Sequence, residues 1–236
     1  MNLLCTICAR SGSKGLPNKN IKKLLGKPLL TYTIDQALKT DLFKAIVVSS
    51  NSREILEISK KYGADAVFER PENLALDSSP KIPAIRHAFE LAERKYKLEF
   101  DVIIDLDVTS PLRLTKDIEE SFNYFVSKDF DNLITGCPSR KNPYFNMVEI
   151  KKNQVSLSKK ISSQPASRQS APQVYEMNAS IYIWKRQALL NSDNLFTDKT
   201  GFYEMPEERS HDIDSILDWH IVEMIMKKNL NKDAKP

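Results

Sequence analysis

Three stretches of the sequence gather side chains that could handle a polyphosphate. The first is Ala9-Arg10-Ser11-Gly12-Ser13-Lys14-Gly15-Leu16-Pro17-Asn18-Lys19-Asn20, which ends the apolar run Leu3 to Ala9. Gly12 and Gly15 allow the backbone to turn with positive φ and approach a ligand closely, and successive free N–H groups in such a turn form an anion-binding nest. Arg10, Lys14 and Lys19 add positive charge, and no acid occurs from Ala9 to Thr33 although acids are scattered elsewhere. The loop therefore suits phosphate oxygens. It has neither the G-x-x-x-x-G-K-[ST] nor the G-x-G-x-x-G spacing, and a solvated basic turn is the plainer reading of its composition.

The second stretch is Ile103-Ile104-Asp105-Leu106-Asp107-Val108-Thr109-Ser110-Pro111-Leu112-Arg113. Two residues apart on a strand, Asp105 and Asp107 share one face at roughly 6 to 7 Å. Two carboxylates there repel each other and require a cation, and Mg²⁺, which takes carboxylate and phosphate oxygens together, meets that need. The alternative is that Asp105 bonds a neighbouring loop while Asp107 caps a turn. The third stretch, Ser210-His211-Asp212-Ile213-Asp214-Ser215, repeats the spacing with Asp212 and Asp214. Asp214 could serve as the N-cap of the last helix, which accounts for one carboxylate but not both. His87, His211 and His220 have no zinc spacing. Cys5 and Cys8 form a C-x-x-C inside an apolar run and read as buried filler.

These loops need elements to position them. Leu3–Ala9, Ala45–Ser49, Ala66–Phe68, Val102–Leu106 and Leu133–Cys137 read as strands. Helical patterns lie between them: Pro28–Lys39, Ser52–Tyr62 stopped by Gly63, Ile82–Tyr96, and Lys116–Lys128 with Thr115 as N-cap and Glu119 near the capping-box position. Alternating strands and helices at this spacing predict an α/β fold with a parallel sheet covered on both faces. Beyond Pro138, Phe145–Ile161 reads as two strands around a polar turn at Lys151–Gln154, followed by a segment rich in Ser, Gln and Pro. The prediction is one domain over residues 1–228. Within it 140–175 forms a hairpin and arm, a strand follows at Asn178–Arg186, the last helix spans Asp214–Lys228, and 229–236 is a polar tail.

With 35 Lys and Arg against 31 Asp and Glu, the net charge of +4 is spread along the 236 residues, which disfavours a nucleic-acid binder. No apolar run approaches the roughly 20 residues of a membrane span. Leu3–Ala9 lacks the preceding basic region and the cleavage site of a signal peptide, and three cysteines are too few for a disulfide framework. The expected location is the cytoplasm.

Taken together and in order, "CARSGSKGLPNKN", "ERPENLALD", "TSPLR", "PASRQSAPQVYEMNASIY" and "DIDSILD" resemble the cytidylyltransferases that activate acylneuraminates and related sugar acids, from Leu4 to about Lys228. The resemblance implies a three-layer α/β/α nucleotidyltransferase fold and a homodimer whose hairpin arm reaches the partner. It also implies Mg²⁺-dependent reaction of CTP with a 2-keto-3-deoxy nonulosonic acid to give the CMP-sugar and pyrophosphate. By the same resemblance Arg10, Ser11, Gly12, Ser13, Lys14, Gly15, Lys19 and Asn20 hold the nucleotide from the loop, and Arg70, Asp77 and Ser79 surround the cytidine. Asp107, Arg168, Gln169 and Asn178 fall at the sugar-acid end, where Arg168 can hold a carboxylate as a bidentate pair. Asp212 and Asp214, with Asp107, are the implied metal ligands, and Arg10, Lys19 and Asp212 the implied catalytic groups. Where sialate-activating members usually read Gln-Pro before Thr-Ser-Pro-Leu-Arg, Asp107 stands here in place of the Gln, and Glu176-Met177 replaces a common Arg-Pro. Those departures lie at the sugar end and speak against sialic acid itself, and "DLDVTSPLR" with "RKNPYFNMVE" resembles members acting on bacterial sialic-acid analogues such as legionaminic acid. The runners-up are an octulosonate or sugar 1-phosphate acceptor, with Arg113, Arg140, Lys141 and Arg168 as the cations a phosphate would need, and a non-catalytic nucleotide-binding protein.

Overall fold

The computed structural model describes residues 1–12 and 15–233. The core is a seven-stranded sheet built from β1 (Leu3–Cys8), β4 (Ala45–Ser50), β5 (Ala66–Glu69), β6 (Val102–Leu106), β7 (Asn132–Pro138), β10 (Tyr175–Lys185) and β11 (Thr200–Glu204). Their spatial order is β11-β7-β10-β6-β1-β4-β5. β1 pairs in parallel with β4 and β6, β4 with β5, and β11 with β7, while β10 runs antiparallel between β6 and β7. Two small hairpins complete the strands: β2 (Lys23–Leu24) with β3 (Lys27–Pro28), and β8 (Val148–Lys151) with β9 (Gln154–Leu157).

Helices α1 (Leu29–Lys39), α2 (Arg53–Lys61), α4 (Thr115–Ser127) and α6 (Ile216–Asp233) cover one face. Helices α3 (Lys81–Tyr96) and α5 (Arg186–Asn191) cover the other. Strand alternation decides which side chain meets which layer: Leu3, Cys5 and Ile7 of β1 pack under α1, whereas Leu4 packs under α3. Cys5 and Cys8 fall in opposite layers and are both free, so the C-x-x-C cannot close on one ion or form a disulfide here.

From β1 the chain winds outward through β4 to β5, then returns through α3 to place β6 on the other side of β1. β1 and β6 therefore flank a topological switch point, and the loops leaving their carboxyl ends enclose a crevice suited to a ligand. The glycine-rich loop and Asp107 both stand there.

The alternating strands and helices match the sequence reading, with differences of detail that include the added helix α5 and hairpin β2–β3. Thr115 is the first residue of α4, not its cap. The Asp117 carboxylate accepts the Leu114 N–H at 2.8 Å, so an acid inside the first turn does the capping from the N3 side. Asp214 does not cap α6 either: Ser215 Oγ accepts the Asp218 N–H at 3.3 Å and the Asp218 carboxylate accepts the Ser215 N–H at 2.7 Å. α6 continues past Lys228 to Asp233, because no Gly or Pro interrupts the chain before Pro236. Finally, β11 was not anticipated. Its five residues carry a glycine at 201, where a β-carbon would stand 2.3 Å from the Phe130 ring, and the sheet accepts it because that ring fills the space.

Candidate active site

The loop after β1 is pinned from both sides. Ser11 donates its N–H and its hydroxyl to Asn51 Oδ1 at 3.0 and 3.2 Å, and Asn20 Nδ2 donates back to the Arg10 carbonyl at 2.8 Å. Leu16 is buried as the loop's apolar anchor, and a 3-10 turn at Lys19–Ile21 leads into the small hairpin β2–β3. Gly12 has φ +75°, the left-handed turn expected of it. Gly15 does not have a positive φ. A β-carbon there would lie 2.1 Å from the backbone oxygen of Asp214, so glycine is required because the loop lies directly on the 212–214 segment. Ser13 and Lys14 lie outside the described residues.

Lys19 is buried and reaches across the same contact. Its ammonium donates to the Ile213 carbonyl at 2.5 Å and pairs with Asp214 Oδ1 at 2.9 Å. Arg10 donates to Asp77 Oδ1 at 2.5 Å and to the Ala75 carbonyl at 3.4 Å. The acids missing from the loop are thus supplied by distant segments: each of these two cations rests on an aspartate. Arg70 is buried beneath them, its guanidinium donating to the Ser49 carbonyl at 2.7 Å and to Ser49 Oγ at 3.2 Å. Ser79 donates to the Asn73 carbonyl at 2.8 Å and shapes the loop before α3. Arg10, Gly15, Lys19, Asn20, Arg70, Asp77, Ser79, Asp107, Thr109 and Asp214 line one cavity of about 500 Å³ at the switch point.

Lys81, which the sequence reading did not single out, completes that lining. It donates to Asp107 Oδ2 at 2.7 Å, lies 3.0 Å from Asp105 Oδ2, and stands 4.3 Å from the centre of the Tyr182 ring. The Asp105 contact is ionic and not a hydrogen bond, since that oxygen has no hydrogen-bond partner while Asp105 Oδ1 accepts from Thr6 Oγ1 at 2.8 Å. Asp107 Oδ1 takes the N–H and hydroxyl of Thr109, both at 3.0 Å. The cation that the Asp105–Asp107 pair requires is therefore present in the chain itself. Burial opposes the charge on Asp107, but the Lys81 ammonium and the Thr109 bonds prevail and hold its carboxyl at about 2. Burial likewise opposes the charge on Lys81, and the two carboxylates outweigh it and keep the amine protonated. One signal in the sequence could have revealed this residue: a lysine opening a helix sits against the macrodipole, so its place there serves something other than the helix.

Asp212 presents the opposite case. Burial, then repulsion from Asp214, pushes its carboxyl up to about 6. Among the described residues no three His, Cys, Asp or Glu side chains converge as a metal cluster. Two carboxylates plus substrate phosphates are nevertheless a common Mg²⁺ arrangement, and Asp212, unlike Asp214 on Lys19, has no ion-pair partner among the described residues.

The sugar-end residues separate. Asn178 is buried in the bulge where the register of β10 shifts against β7, and its amide is consumed there. Its oxygen accepts from Thr135 Oγ1 at 2.7 Å and from the Ser180 N–H at 3.2 Å, and its nitrogen donates to Ser210 Oγ at 3.0 Å. Arg168 and Gln169 are exposed on the arm and do not line the cavity of their own chain. Arg113, one of the cations considered for a sugar phosphate, is withdrawn from any ligand. It is fully buried and bonds the Ser180 carbonyl at 2.6 Å and Gln36 Oε1 at 2.9 Å. Arg140 is exposed and pairs with Glu207.

Comparison with known proteins agrees with this layout. The chain is 48% identical over 230 residues to the CMP-N,N'-diacetyllegionaminic acid synthase of Campylobacter jejuni subsp. jejuni, covering 97% of each. It is 48% identical over 229 residues to the post-translational flagellin modification protein B of Campylobacter coli, again covering 97% of each. Its fold superposes on a CMP:2-keto-3-deoxy-manno-octonic acid synthetase complexed with CTP with a TM-score of 0.69, over 97% of this chain and 100% of that one, at 16% identity. The profile of the cytidylyltransferase family matches residues 4–230, and with the cationic loop, the switch-point cavity and the paired aspartates in place, the chain belongs to that family of nucleotidyltransferases.

Proposed function

We propose that this protein transfers CMP from CTP to a nonulosonic acid of the legionaminic type, releasing pyrophosphate. The observation that carries the reading is the meeting of Gly15 and Lys19 with the 212–214 segment, which sets the cationic loop against Asp214 in the cavity that both line. The 48% identity to a CMP-N,N'-diacetyllegionaminic acid synthase supports the choice of acceptor, as do Asp107 and Glu176 at the positions noted above.

In this reading Arg10, Lys19 and the free N–H groups of the loop take the triphosphate oxygens, exchanging their present aspartate partners for phosphate. Lys14 belongs to the same loop. Arg70, Asp77 and Ser79 bound the nucleoside. The anomeric hydroxyl oxygen of the acid bonds to the α-phosphorus, the bond from that phosphorus to the α–β bridging oxygen breaks, and pyrophosphate leaves in line. Asp212 takes the hydroxyl proton as the bond to phosphorus forms. Asp212 and Asp214 would hold Mg²⁺, which when bound neutralises phosphate charge. Asp107 keeps both oxygens on Lys81 and Thr109 and stands apart from that pair.

Arg168 and Gln169 reach a substrate carboxylate in this scheme only from a partner chain, so the working unit is a homodimer with exchanged arms. Exposed Met147, Val148, Ile150 and Val155 on and beside β8–β9 provide the apolar surface such an arm would bury. Among the described residues no helix is long and apolar enough to cross a membrane. Use of CTP and the three free cysteines favour the cytoplasm.

The test is pyrophosphate release with Mg²⁺ across CTP and GTP against sialic, legionaminic, pseudaminic and octulosonic acids and hexose 1-phosphates. Turnover with CTP and a nonulosonic acid is expected. Turnover only with GTP and a hexose 1-phosphate would sink the reading.

A further inference from the structure

Lys81 lines two cavities at once: the 500 Å³ cavity at the switch point and a second, of about 220 Å³, walled by Ile82, Ile85, Tyr182 and Trp184. Around it Asp105 and Asp107 set two carboxylates on one ammonium, with the buried Arg113 guanidinium behind them on the Asp107 carbonyl at 3.3 Å. That cluster sits across the cavity from a loop that gathers cations. The exposed edge of the Asp107 carboxylate offers a ligand only hydrogen-bond acceptors. Asp107 cannot swing away, because Lys81 holds one oxygen at 2.7 Å and Thr109 holds the other with two bonds of 3.0 Å. Lys81 is in turn fixed by Asp105 and by the Tyr182 ring beneath it.

Resting on the functional reading above, we propose that Lys81 is a positioning residue that fixes Asp107 as an acceptor for an N–H or O–H group of the sugar acid. The pair orients the acceptor with its carboxylate away from Asp107 and its donor-bearing substituents, acylamino or hydroxyl, toward it. It thereby selects acceptors that carry a donor at that point. A carboxylate held by a lysine presents acceptors only, and as an ion it accepts more strongly than a neutral group, so a substituent that carries no donor is disfavoured there.

The experiment is steady-state pyrophosphate release by the full chain with CTP and a legionaminic-type acid, comparing wild type with Lys81→Met, Lys81→Arg, Asp107→Asn and the double variant Lys81→Met/Asp107→Asn. Lys81→Met and Asp107→Asn are each expected to raise KM for the sugar acid at least ~10-fold while KM for CTP stays within ~3-fold, and the double variant is expected to be no worse than the poorer single one. Lys81→Arg should recover most of the acid's KM. Equal rises in both KM values, or a double variant whose losses multiply, would assign Lys81 to general scaffolding and overturn the proposal. If Lys81→Met does not fold, Asp107→Asn, which keeps the Lys81–Asp105 pair, decides alone: an unchanged KM for the acid overturns the proposal. Wild-type protein inactive with every nonulosonic acid would instead overturn the functional reading; active wild type with indifferent variants defeats this inference only.

Discussion

Gly15 lies so close to Asp214 that a β-carbon on it would stand 2.1 Å from the aspartate's backbone oxygen, although the two are 199 positions apart in the chain. The contact seals the cationic loop to the acidic segment. Gly15→Ala must part them, so a loss of at least ~10-fold in kcat/KM for CTP is expected, since displacements of about 1 Å at a reacting centre have effects of that order. Gly12→Ala differs, because open space surrounds Gly12 and only its φ of +75° resists a side chain. It should cost about 1 to 2 kcal/mol of stability with a smaller kinetic effect. Thermal melting alongside kinetics separates the two.

Lys19→Gln removes the charge but retains a donor to the Ile213 carbonyl. KM for CTP should rise ~10-fold or more and KM for the sugar acid much less. Lys19→Glu is a harsher variant than its position in a loop suggests, since it would bury an acid beside Asp214. Loss of folding in Lys19→Glu with intact folding in Lys19→Gln, read by circular dichroism, checks this.

Burial, then Asp214, disfavours the charge on Asp212 and pushes its carboxyl up to about 6, above the ordinary carboxylate value of 3.8. Between those values the folded protein binds more protons at this site than the unfolded chain does. The contribution of Asp212 to stability is therefore fully present below about pH 4 and is lost as pH rises through 6. In EDTA, Asp212→Asn should melt higher than wild type at pH 7.5, and the advantage should vanish near pH 4. A constant difference across that window would contradict the assignment.

Arg113 is held by carbonyl and amide partners deep in the fold, and burial lowers its pKa to about 10. Arg113→Ala leaves the Ser180 carbonyl and Gln36 unsatisfied and should cost about 3 kcal/mol, or roughly 6 to 12 °C in Tm. An unchanged Tm with a raised KM for the acceptor would return Arg113 to the substrate.

If arms are exchanged in a dimer, Asp212→Asn and Arg168→Ala chains mixed and reassociated at random should regain about a quarter of wild-type activity, because half the dimers are mixed and each mixed dimer holds one intact site. No recovery, with mixed dimers demonstrated, would place Arg168 in its own chain's site or outside any site.

What the sequence by itself determined was local. Apolar periodicity located β1, β4, β5, β6 and β7 and the helices between them, Gly63 ended α2, and the polar turn Lys152-Asn153 lies between β8 and β9 as expected, both residues with positive φ. Those features depend on neighbours within a few residues, so the order of residue types carries them. The cationic loop was legible for the same reason. What only the tertiary structure decided were the pairings across the chain: Lys81 rather than an outside ion between Asp105 and Asp107, Arg10 on Asp77, Lys19 on Asp214, and the Asn178 amide consumed in the β10 bulge. Each partner arrives on a different crossover, and its distance is set by strand order and register, which residue type alone does not encode. The same holds for Gly15: the sequence shows a glycine, and only the packing of its loop on residue 214 shows that the reason is a neighbour and not a turn.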